Sequence, residues 1–222
     1  SKFLVTNVLV HERRGLSSPN STELVEFLYN LLELTNKNKI LIPYSGPQTL
    51  VHLLGLLYSD FPKNSKENIL VIEPHRELIL LLHVISQLSL PKFETIHRDP
   101  LGADLTSLKF DHIISNPPLF GLREINNDRL GDYGSDATRY FIKSLTNYSR
   151  GTKISVVVPQ NFLFNSSPYG EKIRKDILNT CTLLGIIQLP KGYSSSNTVQ
   201  SSLLLLEVGI TDLMNYDIFM AV

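Results

Sequence analysis

Short apolar runs, separated by stretches of helical spacing, constrain this chain more than any other feature. Ile69-Leu70-Val71-Ile72 contains no polar position, so a strand built from it is buried on both faces, as in a parallel sheet. Comparable runs predict strands at Lys39–Pro43, Asn68–Glu73, Phe93–Ile96, Phe110–Ile114, Ile154–Val158, Leu183–Leu189 and Ser202–Val208. Between them lie segments whose apolar residues recur every three or four positions. One carries Leu24, Phe27, Leu28, Leu31, Leu32 and Leu34, and a second carries Leu50, Leu53, Leu54, Leu57 and Tyr58. Further helices are predicted after Arg76 (ending near Leu88), at about Asp136–Tyr148 and at about Pro168–Leu178. Pro159–Phe164 reads as a proline turn leading into an aromatic loop, and Asn215–Val222 as a further strand. Such alternation implies an α/β fold with right-handed crossovers, a mainly parallel sheet and helices on both faces. The last two strands of the run are joined by a loop of only ~10 residues, too short for a helical crossover. One of them is therefore expected to run antiparallel.

The 222 residues suffice for one well-cored domain. Residues 1–16 read as an N-terminal extension and 17–222 as the main domain, with the final strand suggesting part of a longer chain. Lysine plus arginine equals aspartate plus glutamate at 21 each, which excludes a global field that attracts nucleic acid. Any DNA contact then depends on a local patch or on another domain. A single cysteine, Cys181, excludes an internal disulfide and a multi-cysteine zinc site, and it is expected as a small buried hydrophobe. With no secretory signal and no apolar run long enough to span a bilayer, a cytoplasmic protein without membrane contact is expected.

Chemistry concentrates where the predicted strands end. The fourth strand stops at Asn116-Pro117-Pro118-Leu119-Phe120. Both prolines hold φ near −65° and carry no N–H, and each pushes its predecessor to extended geometry. The Asn116 side-chain oxygen and a backbone carbonyl can then converge on one point. Two acceptors suit an amino group with two N–H bonds, and gripping both hydrogens concentrates the nitrogen lone pair for attack. Glu73 ends the second strand, where acids of nucleotide-binding sheets accept from ribose hydroxyls. Asp99 follows the third strand, where it could accept from an adenine amino group.

Asn-Pro-Pro followed by an aromatic resembles the catalytic motif of S-adenosylmethionine-dependent amino-methyltransferases. Ser18-Pro19-Asn20 and the helix after it resemble the Thr-Pro helix of gamma-type adenine methyltransferases. The later blocks Ile154–Phe164, Ile173-Arg174-Lys175 and Ile186–Tyr193 resemble the modification subunit of type I restriction systems, and Thr198–Leu204 fits its next strand. The resemblance implies a Rossmann-like methyltransferase fold of seven strands, one antiparallel. It also implies S-adenosylmethionine as cofactor, transfer of a methyl group to adenine N6 of a flipped-out DNA base, and a separate specificity subunit as partner. On this reading Asn116, Pro117, Pro118 and Phe120 are catalytic, whereas Pro43, Ser45, Gly46, Glu73 and Asp99 bind the cofactor. Two departures stand out. In the cofactor loop, Ile42-Pro43-Tyr44-Ser45-Gly46-Pro47-Gln48-Thr49 has Ile42 in place of the family's acid and keeps one glycine of the turn. After the second proline, Leu119 stands where the stacking aromatic is usual, and Phe120 comes one place later. Two alternatives follow: a catalytically silent DNA- or protein-binding module, or a methyltransferase acting on a glutamine amide or on RNA.

Overall fold

In the computed structural model the described residues are 29–35, 37–44, 68–88, 93–102, 106–117, 137–189, 200–209 and 217–221. Their strands are β1 (Ile40–Pro43), β2 (Ile69–Glu73), β3 (Glu94–His97), β4 (His112–Ser115), β5 (Lys153–Pro159), β6 (Cys181–Gln188), β7 (Ser201–Val208) and β8 (Phe219–Ala221). The helices are α1 (Arg76–Leu88), α2 (Ala137–Leu145), α3 (Gln160–Phe164) and α4 (Pro168–Leu178). Together the strands form one sheet in the order β3-β2-β1-β4-β5-β7-β6-β8. All neighbours pair in parallel except around β7, which runs antiparallel to both β5 and β6. The single antiparallel strand is thus as expected. To the seven strands that the resemblance implies, the stretch read as a further strand near residue 222 adds β8.

Strand periodicity divides the core into two layers. On one face Ile40, Ile42, Ile69, Val71, Val157, Leu203 and Leu205 pack with Ile79 and Leu82 of α1 and with Leu32 and Leu34. On the other, Leu41, Leu70, Ile72, Ile154, Val156, Leu204 and Leu206 pack with Phe141, Ile142 and Leu145 of α2 and Ile173 and Ile177 of α4. Every residue of β1, β2 and β4 is buried; Ile40–Pro43 and Ile69–Ile72 accordingly read as unbroken apolar runs, whereas β4 also buries the polar His112 and Ser115 at its ends. Each fully buried Leu, Ile or Val contributes about 1.5–3 kcal/mol relative to exposure. Of the expected N-terminal helix only its end is described: Leu32 and Leu34 are buried there, while Leu31 is 38% exposed. The second expected helix (Leu50 to Tyr58) and residues 1–16 lie outside the described residues.

Local signals explain the helix limits that matter for the sheet edge. Ser167 caps α4, its side chain accepting from Gly170 N at 3.1 Å, and Pro168 occupies the first turn, where an N–H would be unpaired. Pro159–Phe164 is not the expected loop: from Gln160 it is the short helix α3. The tie that holds it comes from outside the segment, because the Arg174 guanidinium on α4 donates to the Phe162 and Asn165 carbonyls at 3.0 and 2.7 Å. Cys181 opens β6 and is buried, as expected of a small hydrophobe.

The edge strand β8 docks through Gly185, which pairs with Phe219. A Cβ at this position would lie 2.9 Å from the Phe219 carbonyl oxygen and 3.5 Å from Leu205 Cδ1. Backbone cannot give way as a flexible side-chain end does. Gly185→Ala is therefore expected to displace β8 while leaving the β5–β7 ladder intact. Strain of about 1–3 kcal/mol should lower amide-exchange protection at Phe219–Ala221 by roughly tenfold or more. Unchanged protection there would show that the strand shifts without cost.

Candidate active site

The sheet order places a topological switch point between β1 and β4: from β1 the chain proceeds outward to β2 and β3, then returns to β4 on β1's other side. Ligands of open α/β sheets bind in the crevice outside the carboxyl ends of strands at such a point. Register makes those ends level. Ile40 pairs with Ile69 and His112, and Leu41 with Leu70 and Ile113. Beyond that ladder the Ser115 hydroxyl donates to the Pro43 carbonyl at 2.8 Å, tying the last residues of β4 and β1 across the switch point.

Five of the residues singled out from sequence gather on this edge. Pro43 ends β1, Glu73 ends β2, Asp99 lies two residues past β3, and Asn116 and Pro117 immediately follow β4. Asn116 is 2% exposed and Pro117 is buried beside it. Asp99 and Asn116 sit three strand spacings apart, roughly 14 Å, so one small group cannot touch both and an elongated ligand can. Ser45, Gly46, Pro118 and Phe120 lie outside the described residues.

Glu73 carries the most unusual electrostatics. It is 1% exposed. Its Oε1 accepts from the His75 backbone N–H at 3.3 Å, and its Oε2 is buried with no hydrogen-bond partner among the described residues. Burial raises its pKa from 4.5 to about 7; the His75 N–H opposes the rise and the negative charge of Asp99 adds to it. An unpartnered buried carboxylate oxygen is costly, and a ligand hydroxyl donor would relieve that cost. This orphaned oxygen at the end of β2 fits the ribose of an adenosyl cofactor.

From sequence alone Tyr44 reads only as part of a turn. In the structure it is 2% exposed, with φ of +54°. Its hydroxyl donates to Asp99 Oδ1 at 2.5 Å, and its ring meets Phe141 edge-on with centroids 4.9 Å apart. Burial, followed by the bond to Asp99, pushes the phenol pKa well above its ordinary range, so Tyr44 remains a donor. The signal that could have found it is a bulky aromatic directly after a strand-ending proline, in a turn otherwise built for small residues. Ile42, at the position of the family's loop acid, is 0% exposed and belongs to the core.

The strand order and the level carboxyl edge define a Rossmann-like methyltransferase fold. A solved structure described as a candidate class I S-adenosylmethionine-dependent methyltransferase from Listeria monocytogenes matches with a TM-score of 0.75 at 20% identity, over 99% of this chain and 70% of that one. A type I restriction-modification methyltransferase subunit from Streptococcus thermophilus matches with a TM-score of 0.68 at 15% identity, over 99% of this chain and 50% of that one. At these identities the likeness concerns the fold. The chain itself belongs to the N-6 DNA methylase family, whose profile matches residues 22–221. The EcoKI type I restriction enzyme methylase subunit of Escherichia coli strain K12 is 29% identical over 129 residues, covering 53% of this chain. This chain spans about a fifth of that relative's length (22%). Among the described residues no helix is long and apolar enough to cross a membrane, and no cluster of metal-binding side chains occurs.

The raised Glu73 pKa makes stability depend on pH. Between pH 4.5 and about 7 the unfolded chain has released this proton while the folded chain retains it. Stability therefore falls as pH rises through that window, by about 3 kcal/mol in total. Glu73→Gln, which cannot ionise, should gain on the wild type by that amount across the window in urea unfolding. A constant difference between the two proteins would show that Glu73 ionises freely.

Proposed function

We propose that this chain is the S-adenosylmethionine-binding catalytic domain of an adenine-N6 DNA methyltransferase of the type I modification kind. The observation that carries the reading is the buried, unpartnered Glu73 Oε2 on the same sheet edge as Asn116-Pro117, within a chain of the N-6 DNA methylase family. Glu73 would accept from the ribose hydroxyls and Asp99 from the adenine amino group of the cofactor. When bound, S-adenosylmethionine supplies an electrophilic methyl group. Asn116, through its side-chain oxygen, and Pro117, through its carbonyl, would accept the two N–H bonds of a target adenine amine. That grip raises the nitrogen's nucleophilicity and stabilises the positive charge that develops on it. Fixed acceptors on a rigid strand end also orient the amine for in-line attack, which removes much of the entropic barrier. The target base would have to leave the duplex to reach a buried pair of acceptors. Phe120 is assigned by sequence alone as the aromatic that stacks on it, and Pro118 as the residue that stiffens the turn. With no net charge to attract DNA, a separate specificity subunit is the natural source of sequence recognition, in the cytoplasm of the cell.

A second reading is a silent module that keeps the fold without binding cofactor. Ile42 favours it, because a buried apolar side chain stands where the family's loop places an acid. Titration calorimetry with S-adenosylmethionine separates the two. The enzyme reading expects micromolar binding that Glu73→Ala abolishes. Affinity should also weaken by about tenfold per pH unit below 7, as Glu73 takes up its proton. No heat at millimolar cofactor from a folded sample would leave the silent module standing. Given binding, Asn116→Ala should retain the cofactor yet lower methyl transfer to adenine-containing DNA by roughly 10²–10³-fold. Undiminished transfer would remove Asn116 from the mechanism.

A further inference from the structure

The turn after β1 does more than connect. Along β1, Ile40 and Ile42 face one core layer and Leu41 the other. Strict alternation would send Tyr44 to the layer of Ile42. The left-handed backbone at Tyr44 instead returns the ring to the layer of Leu41, where it meets Phe141 and stretches to the loop after β3. That conformation costs a residue with a Cβ roughly 1–2 kcal/mol. It is held by the Tyr44 N–H, which donates to the Ile72 carbonyl at 3.1 Å. At the far end, two donors converge on a single oxygen of Asp99. The Tyr44 hydroxyl and the Leu101 backbone N–H, at 2.5 and 2.9 Å, both bond Oδ1, which leaves Oδ2 for a further donor. Asp99 itself is exposed, so among the described residues its carboxylate is held by these two bonds, one from the adjoining turn and one from the buried Tyr44.

We infer that Tyr44 is a positioning residue: its buried hydroxyl anchors Asp99 Oδ1 so that Oδ2 faces the ligand crevice and selects a purine bearing a 6-amino group over one bearing a 6-oxo group. The inference rests on the proposed adenosyl site and adds to it the residue that sets its purine specificity. The chemistry is asymmetric. A fixed carboxylate oxygen accepts from an amine and repels a carbonyl oxygen, whereas a carboxylate free to rotate or withdraw discriminates less. A ring clamped on its edge by Phe141 and buried on all sides transmits that fixity from the core to the exposed loop.

The test compares binding of S-adenosylhomocysteine with that of its 6-oxo counterpart, S-inosylhomocysteine, by calorimetry on the full chain. Wild type should prefer the adenosyl compound by roughly 30-fold or more. Tyr44→Phe keeps the ring and its contact with Phe141, and should shrink that ratio to below about fivefold while hardly changing affinity for the inosyl compound. A purely structural role would weaken both ligands alike and preserve the ratio, which would overturn the inference and leave the cofactor site intact. Asp99→Asn is an independent variant on the exposed side, available should Tyr44→Phe not fold. With Oδ1 anchored as an acceptor, the amide NH₂ must face the crevice, so the preference should invert toward the inosyl compound. An amide that flips freely would present its oxygen and keep the adenosyl preference, again overturning the inference. Equal binding of both compounds by wild type would show that Asp99 does not read the 6-position. Binding of neither would remove the cofactor reading, and the role of Tyr44 with it.

Discussion

The parallel ladder that joins β1 to β2 on one side and β4 on the other is the constraint on which everything else rests. It brings residues far apart in the chain to a common edge, and the Ser115–Pro43 bond fastens the last residues of β1 and β4 where the strand order reverses. A slip of one residue in any of these strands would exchange its two faces and move its terminal side chain away from the crevice. Two-sided burial opposes such a slip strongly, because every residue of β1, β2 and β4 would then have to be repacked.

Against this rigid frame, the edge itself collects unfavourable features. Tyr44 adopts a backbone conformation that side chains disfavour, and Glu73 is denied solvent without full compensation by hydrogen bonds. Strain and unmet polar groups at a strand terminus are tolerated because the apolar layers on both faces supply far more stabilisation than they remove. Their shared location carries information. On the proposed reading, each prepares the edge for a ligand that brings donors to the acceptors at the ends of β2 and β3.

Much of the fold was legible beforehand for a simple reason: strands buried on both faces leave continuous apolar text, and crossover helices leave text of period 3.6. That one of β6 and β7 runs antiparallel followed from the short connection between them; that it is β7 was decided by its place between β5 and β6. The helix α3 was not legible, because five residues after a proline carry little periodicity and the tie from Arg174 is a tertiary one. At the site, Glu73, Asp99 and Asn116 could be marked by their places at predicted strand ends. The desolvation of Glu73 could not, since it depends on what packs over the end of β2. The role of Tyr44 is not legible in the sequence because its partner Asp99 is 55 positions away and because its direction depends on the handedness of a single residue.

What the amino-acid sequence determined by itself is the succession of buried strands and the chemical kinds of the residues at their ends, both local properties written in side-chain polarity and spacing. What only the tertiary structure decided is which of those ends stand level, how far each acid is removed from water, and which oxygen of Asp99 is already engaged. Those depend on non-local register and on solvent exclusion by neighbouring layers, and neither quantity exists until the sheet has closed around its core.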